Sequence, residues 1–150
     1  MKDIKYLFAY ILPLSALWTL WAMGSWAWTT VVLAFVVLPV LEAVLPYSTA
    51  NVPEEAENER SHKPYFDLLL YLNTPLLYAI VAAYLYRVSA GGLGWPELIG
   101  ITLSTGIIVG AIGINVAHEL GHRNKLWEQI LAKIMLLPAL YQHFFIEHNR

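Results

Sequence analysis

The chain has 150 residues, of which 58% are hydrophobic and only 13% are charged, and its formal net charge is −2 at pH 7. Soluble domains carry about a quarter charged residues, so this composition argues against an ordinary soluble fold. The chain has no cysteine, which excludes disulfides, thiolate zinc sites and cysteine-held iron–sulfur centres within it. No basic cluster is long enough to follow a phosphate backbone, so nucleic acid is not an expected partner.

Four long apolar stretches determine the expected fold. They cover residues 6–22, 26–46, 65–86 and 97–117, and each is close to the roughly 20 residues that cross a bilayer as a helix. The first is rich in tryptophan and lacks a small-residue cleavage site, which favours a retained span over a signal peptide. The sequence therefore predicts an all-α integral membrane bundle with about four transmembrane helices, surrounded by membrane lipid.

Basic residues predict the orientation of these spans. With a cytoplasmic amino terminus, only Arg87 falls outside, and the basic residues on the inside are Lys2, Lys5, Arg60, Lys63, Arg123 and Lys125. This asymmetry follows the positive-inside rule. Glycine-rich turns at 23–26 and 89–96 fit short outer links, and the polar segment 47–64 fits an inner connector.

Small residues recur along the fourth span at steps of three or four. Such a pattern lets helix backbones approach closely in lipid. It predicts a tightly packed helix face formed by Gly106, Gly110, Gly113, Ala117 and Gly121.

The motif "INVAHELGHRNK" at residues 114–125 follows this face. His118 and His122 lie four apart, so their imidazoles share one helix face and can reach one metal ion. Ionisable residues at the end of a membrane span indicate function by default. Asn115 shares the face and is a candidate for orienting a ligand imidazole.

The chain ends in "HFFIEHNR", which predicts a second half-site at His148. A straight helix through residues 126–146 would place His148 about 30 Å from His122, the thickness of the hydrocarbon core. Ligands of one ion lie about 2 Å from it. If His148 joins the pair, this stretch must therefore lie at the interface or turn back, and Pro138 is the expected break.

Two metal chemistries fit these residues. In a zinc peptidase, H-E-x-x-H holds the metal, Glu119 activates water, and Glu147 could supply a third ligand. In an oxygen-activating enzyme, histidine clusters hold iron, and imidazole suits either metal. Glu42, near the end of the second span on the histidine side, is a further candidate for bonding a ligand imidazole.

"NVAHELGHRNK" followed by "HFFIEHNR" resembles the membrane-bound alkane 1-monooxygenases (alkane hydroxylases, the AlkB family). These belong with the histidine-box fatty-acid desaturases and hydroxylases, a relative of which stays an alternative. In the family, HELGH is the first histidine box and EHNR opens the second. The resemblance implies that a complete member is a six-helix bundle in the bacterial inner membrane, with its histidine cluster facing the cytoplasm.

The resemblance also implies a reaction and a ligand set. His118, His122 and His148 would bind a non-haem centre of two iron ions. The enzyme would hydroxylate the terminal carbon of medium-chain n-alkanes with O2, and rubredoxin, served by its reductase, would supply the electrons. Glu119 and Glu147 would then orient the ligands and take no direct part in catalysis.

The sequence departs from the family pattern at its end. It stops at Arg150, where the family continues G-H-H and later supplies a third box. We therefore expect residues 1–150 to be a single transmembrane hydroxylase domain, truncated within the second histidine box and inactive by itself.

Overall fold

Helices account for every apolar stretch in the computed structural model, which describes residues 2–45 and 64–148. A 3₁₀ segment, Lys2–Tyr10, precedes the helices. These are α1 (Ile11–Ala22), α2 (Gly24–Val44), α3 (Pro64–Ala90), α4 (Trp95–Gly121), α5 (Leu126–Leu136) and α6 (His143–His148). No strand occurs within the described ranges, and the all-α prediction is confirmed. The predicted connector 47–64 lies outside them except for Pro64.

Two of the long helices change their winding along their length. In α2, a 3₁₀ turn at Gly24–Trp28 is followed by α-helix at Thr29–Val32, π-helix at Leu33–Val37 and α-helix at Leu38–Val44. In α4, α-helix at Trp95–Ile108 gives way to π-helix at Val109–Ile114 and returns to α-helix at Asn115–Gly121.

Three helices among the described residues are long and apolar enough to cross a membrane. They are α2, α3 and α4, with 21, 27 and 27 residues. The first predicted span is shorter, an apolar helix over Tyr6–Ala22. Its start is wound as 3₁₀ helix, which rises about 2.0 Å per residue against 1.5 Å in an α-helix. It therefore reaches about 28 Å by these rises, close to the roughly 30 Å of the hydrocarbon core.

Helix α4 lies at the centre and contacts α1, α2, α3 and α5. It packs tightly at Gly100, where an added Cβ would lie 2.7 Å from the carbonyl oxygen of Ala27. The predicted small-residue face is buried in the carboxyl-terminal part of α4, at Gly113, Ala117 and Gly121. Within the described part of the chain, a Cβ at Gly106 or Gly110 would meet nothing within 4 Å.

Polar contacts fix the end of the bundle that is opposite the histidines. Arg87 Nε donates to the carbonyl oxygen of Leu20 at 2.7 Å, and Glu97 accepts from the backbone N–H groups of Gly24 at 2.8 Å and Gly94 at 3.0 Å. Arg87 lies about 30 Å along α3 from Asp67 at an α-helical rise of about 1.5 Å per residue. The two ends of α3 are thus separated by the thickness of a hydrocarbon core.

Candidate metal centre

The two histidines of the HELGH motif converge at the carboxyl end of α4. His118 lies in its last turn, and His122 is the capping residue just beyond Gly121. Their Nε2 atoms are 2.9 Å apart, and their ring centroids are 4.8 Å apart. Both side chains are exposed, so an ion can reach the pair from outside the helix bundle.

The separation of the two Nε2 atoms is compatible with ligation of one ion. Metal–imidazole bonds of about 2.05 Å that meet at a right angle place the two nitrogens about 2.9 Å apart. The same distance also suits an N–H···N hydrogen bond between the rings. The pair therefore fits a metal ion without requiring one.

The stretch of residues 126–146 is broken, as predicted, after its first half. Helix α5 ends in a tight turn in which Tyr141 N–H donates to Leu136 at 3.2 Å and Leu140 N–H to Leu137 at 2.9 Å. Leu140 has φ +53, so this is a Schellman-type helix end. The turn prevents the stretch from crossing the membrane as one straight helix.

Pro138 helps to end α5 because it cannot donate a hydrogen bond to the carbonyl oxygen of Ile134. The Tyr78 hydroxyl donates to that oxygen instead, at 2.7 Å, and ties the break to α3. The oxygen also accepts from Leu137 N–H at 3.2 Å. A hydroxyl on a neighbouring helix therefore satisfies the oxygen that the proline leaves short of a donor.

Helix α6 returns to the histidine pair after this turn. The Phe144 ring meets the His118 ring edge to face, with centroids 5.9 Å apart. Positions 144 and 148 are one helical turn apart and share a face of α6. The backbone position of His148 thus lies on the face that packs towards His118, although its side chain lies outside the described residues. Its assignment as a ligand stays a prediction, and the described residues contain no group of three potential ligands.

The residues predicted to orient the ligands occupy different surroundings. Glu119 is paired with Arg123, whose Nη2 lies 3.1 Å from Glu119 Oε1. Asn115 is exposed one turn before His118, and Glu42 and Glu147 are exposed on α2 and α6. Orientation of a ligand by any of these side chains therefore stays a prediction.

The end of the bundle that carries His118 and His122, which we call the histidine end, also holds a buried glutamate whose role the sequence did not reveal. Glu128 is 1% exposed, and Tyr71 donates a hydrogen bond of 2.5 Å to its Oε1. The sequence showed Glu128 only as a charge interrupting an apolar run. An acid next to a tryptophan in the first turn of an apolar helix was a usable signal, but its partner is 57 residues away.

Arg123 is the second polar residue that the sequence analysis left without a structural role. Its Nη1 lies 3.1 Å from Asp67 Oδ1, which links the turn after α4 to the start of α3. Partial burial lowers the pKa of the Arg123 guanidinium, but the negative charges of Asp67 and Glu119 outweigh this and raise the pKa above its ordinary value. Arg123 is therefore a permanent cation beside the histidine pair.

Comparison with known proteins supplies what the geometry leaves open. No family model matches the chain. An alkane 1-monooxygenase of Pseudomonas putida is 34% identical over 140 residues, covering 92% of this chain and 35% of the relative. An alkane 1-monooxygenase of Ectopseudomonas oleovorans is 32% identical over an alignment of 152 residues, which covers 94% of this chain and 38% of the relative. Alkane 1-monooxygenase 1 of Pseudomonas aeruginosa is 32% identical over an alignment of 158 residues, which covers 100% of this chain and 41% of the relative.

The chain is homologous to alkane 1-monooxygenases. It spans between about a third and two fifths of the length of these curated relatives. The alignment with the Pseudomonas aeruginosa alkane 1-monooxygenase covers the whole chain, and so extends over residues 114–125 and 143–150. The resemblance predicted from the motifs in these two ranges is therefore confirmed.

These relatives are named as monooxygenases and not as peptidases. The position of Glu119 agrees, because its carboxylate is paired with Arg123, whereas the base of an H-E-x-x-H peptidase acts on metal-bound water. The chain has three helices among its described residues that are long and apolar enough to cross a membrane, and it is homologous to alkane 1-monooxygenases. It is therefore part of a membrane protein.

Proposed function

We propose that this chain is part of a membrane-bound, non-haem di-iron monooxygenase that hydroxylates the terminal carbon of medium-chain n-alkanes. The observation that carries the proposal is the 2.9 Å separation of the Nε2 atoms of His118 and His122 in a chain homologous to alkane 1-monooxygenases. The return of α6 to His118 supports it, because a second histidine motif would otherwise lie across the membrane.

His118, His122 and His148 are the residues that would hold iron, and bound iron would supply the activation of O2. Two metal ions need more ligands than three histidines provide. We propose that the remaining ligands belong to the part of the complete protein that corresponds to the unmatched length of the relatives. Asn115, Glu119 and Glu147 are the side chains proposed to orient the imidazoles, with Glu42 as a further candidate.

The electrons for this reaction must come from outside these 150 residues. Hydroxylation puts one oxygen atom of O2 into the alkane and reduces the other to water, which consumes two electrons and two protons. The chain has no cysteine, and therefore no thiolate iron centre of its own. We propose a rubredoxin, kept reduced by its reductase, as the donor on the cytoplasmic side of the bacterial inner membrane, the side on which the positive-inside rule predicts the histidines to lie.

The substrate offers neither charge nor hydrogen bond, so it must be recognised by shape in an apolar cavity. Alkanes partition into the bilayer, and entry between helices would bring one from the lipid to the iron. The length of the cavity would then determine which carbon reaches the metal.

Metal analysis of the native protein, purified from membranes without added metal, tests this proposal first. We expect about two iron atoms per chain, and 1-alkanol from n-octane when O2 and reduced rubredoxin are supplied. About one zinc and no iron would overturn it in favour of the peptidase. Iron with turnover of acyl chains but not alkanes would overturn the substrate assignment in favour of a desaturase relative.

A further inference from the structure

His122 is held differently from His118, because it lies beyond the last helical residue of α4. Helix α4 ends at Gly121, and residues 122–125 form the turn that leads into α5. The hydrogen-bond ladder of α4 fixes the backbone of His118 within a regular turn. The position of His122 depends in addition on the conformation of the turn that follows it.

Arg123, the next residue, is fixed at four points. Its backbone N–H donates to Leu120 O at 3.2 Å, and its carbonyl oxygen accepts from Gln129 Nε2 at 3.0 Å. Its guanidinium meets Asp67 Oδ1 through Nη1 and Glu119 Oε1 through Nη2, each at 3.1 Å. We call Arg123 with the side chains of Asp67, Glu119 and Gln129 the Arg123 clamp.

The clamp joins three separate helices at one residue. Asp67 belongs to α3, Glu119 to α4 and Gln129 to α5. The hydrogen bond from Tyr71 on α3 to the buried Glu128 on α5 forms a second link beside it. The N–H bond to Leu120 holds the peptide unit between His122 and Arg123, and the Gln129 bond holds the one that follows Arg123. Because the guanidinium is also held by other helices, the backbone next to His122 has little freedom to rotate.

We propose that the Arg123 clamp positions His122 for metal binding. Asp67 and Gln129 are its positioning residues, and each acts through its contact with Arg123. The inference rests on the proposed function in one respect, that His118 and His122 hold a metal ion. It goes beyond that function by assigning the geometry of the ligand pair to side chains on α3 and α5, which the histidine motifs do not include.

Co²⁺ binding to the complete enzyme, purified in detergent and freed of its own metal, tests the inference, with visible absorption reporting both affinity and ligand geometry. Asp67→Ala removes both the charge and the acceptor that hold Nη1, and Gln129→Met removes the donor to the Arg123 carbonyl. We expect each to raise the Kd for Co²⁺ by about tenfold, the lower end of the range for groups that orient metal ligands. We also expect the absorption bands to shift, and Asp67→Glu to restore both.

Glu97→Gln is the matched control, since it weakens a carboxylate contact that also joins two segments, with Gly24 and Gly94. Glu97 lies about 30 Å along α4 from His118 by an α-helical rise of about 1.5 Å per residue. It should lower the Tm without changing the Kd for Co²⁺. An unchanged Kd in both Asp67→Ala and Gln129→Met would overturn the clamp. No Co²⁺ binding by the unmodified complete enzyme would overturn the proposed function and the clamp with it.

Discussion

Glu119 is the residue for which the two metal chemistries predict different results. In a peptidase it is the general base, and its loss lowers the rate by about 10²- to 10⁴-fold. In the proposed hydroxylase its carboxylate is paired with Arg123, with Oε1 3.1 Å from Nη2. Glutamine keeps an oxygen that can accept the same hydrogen bond. We therefore expect Glu119→Gln in the complete enzyme to retain its iron and to lose less than about tenfold in alkane hydroxylation.

The measurement is the rate of 1-octanol formation, together with iron per chain, for Glu119→Gln and the wild type. His118→Ala is the control, because loss of an imidazole ligand should remove metal and activity together. A loss of more than about 100-fold at unchanged iron content would give Glu119 a direct role in proton transfer and contradict the assignment.

Glu128 and Tyr71 form the most buried polar pair described at the histidine end. Removing the Tyr71 hydroxyl leaves a carboxyl group that is 1% exposed without this donor, at a cost of about 1–3 kcal/mol. Glu128→Gln keeps an acceptor for the hydroxyl. We therefore expect Tyr71→Phe to lower the free energy of unfolding more than Glu128→Gln does, as measured by chemical denaturation in detergent. Equal losses would show that the hydrogen bond itself contributes little.

At the scale of helices, Gly100 is the residue that allows α4 to pack closely against α2. A Cβ on Gly100 would lie 2.7 Å from the oxygen and 3.0 Å from the carbon of the Ala27 carbonyl, and this backbone cannot rotate away as a side chain would. We expect Gly100→Ala to destabilise the chain by about 1–3 kcal/mol, the usual cost of overpacking. Thermal unfolding in detergent measures it.

Gly106→Ala is the matched control on the same helix. Its added Cβ meets nothing within 4 Å among the described residues, and alanine favours a helix over glycine by about 1 kcal/mol. The Tm should therefore rise or stay constant in Gly106→Ala and fall in Gly100→Ala. A similar fall in both would show that loss of glycine flexibility, and not the clash with Ala27, is the cause.

Local features account for most of what the sequence predicted at this scale. The apolar stretches predicted the helices because hydrophobic length is a property of each segment, and Pro138 predicted the break because its missing N–H acts on its own helix. The Gly100 contact was missed, since it depends on which helix lies opposite. The small-residue pattern therefore indicated the correct helix but was right only for Gly113, Ala117 and Gly121.

The candidate site divides in the same way. Helical periodicity alone was enough to bring His118 and His122 together. The partners of Arg123 could not be read from the sequence, because Asp67 lies 56 positions earlier and only the packing of α3 beside α4 brings the two together. His148 stands between these cases: its return towards His118 was predicted from metal geometry, and ligation by its side chain is still a prediction.

At the scale of the whole molecule, the proposed orientation predicts which end of the bundle faces the cytoplasm. The chain has no cysteine, so one introduced thiol reports one position. Ser89 and Lys125 are exposed and lie at opposite ends of the bundle. In intact bacterial cells, or in spheroplasts where the outer membrane hinders access, we expect a membrane-impermeant maleimide to label Ser89→Cys, and to label Lys125→Cys only after the inner membrane is permeabilised. The reverse pattern would place the histidines outside, where a cytoplasmic electron donor could not reach them.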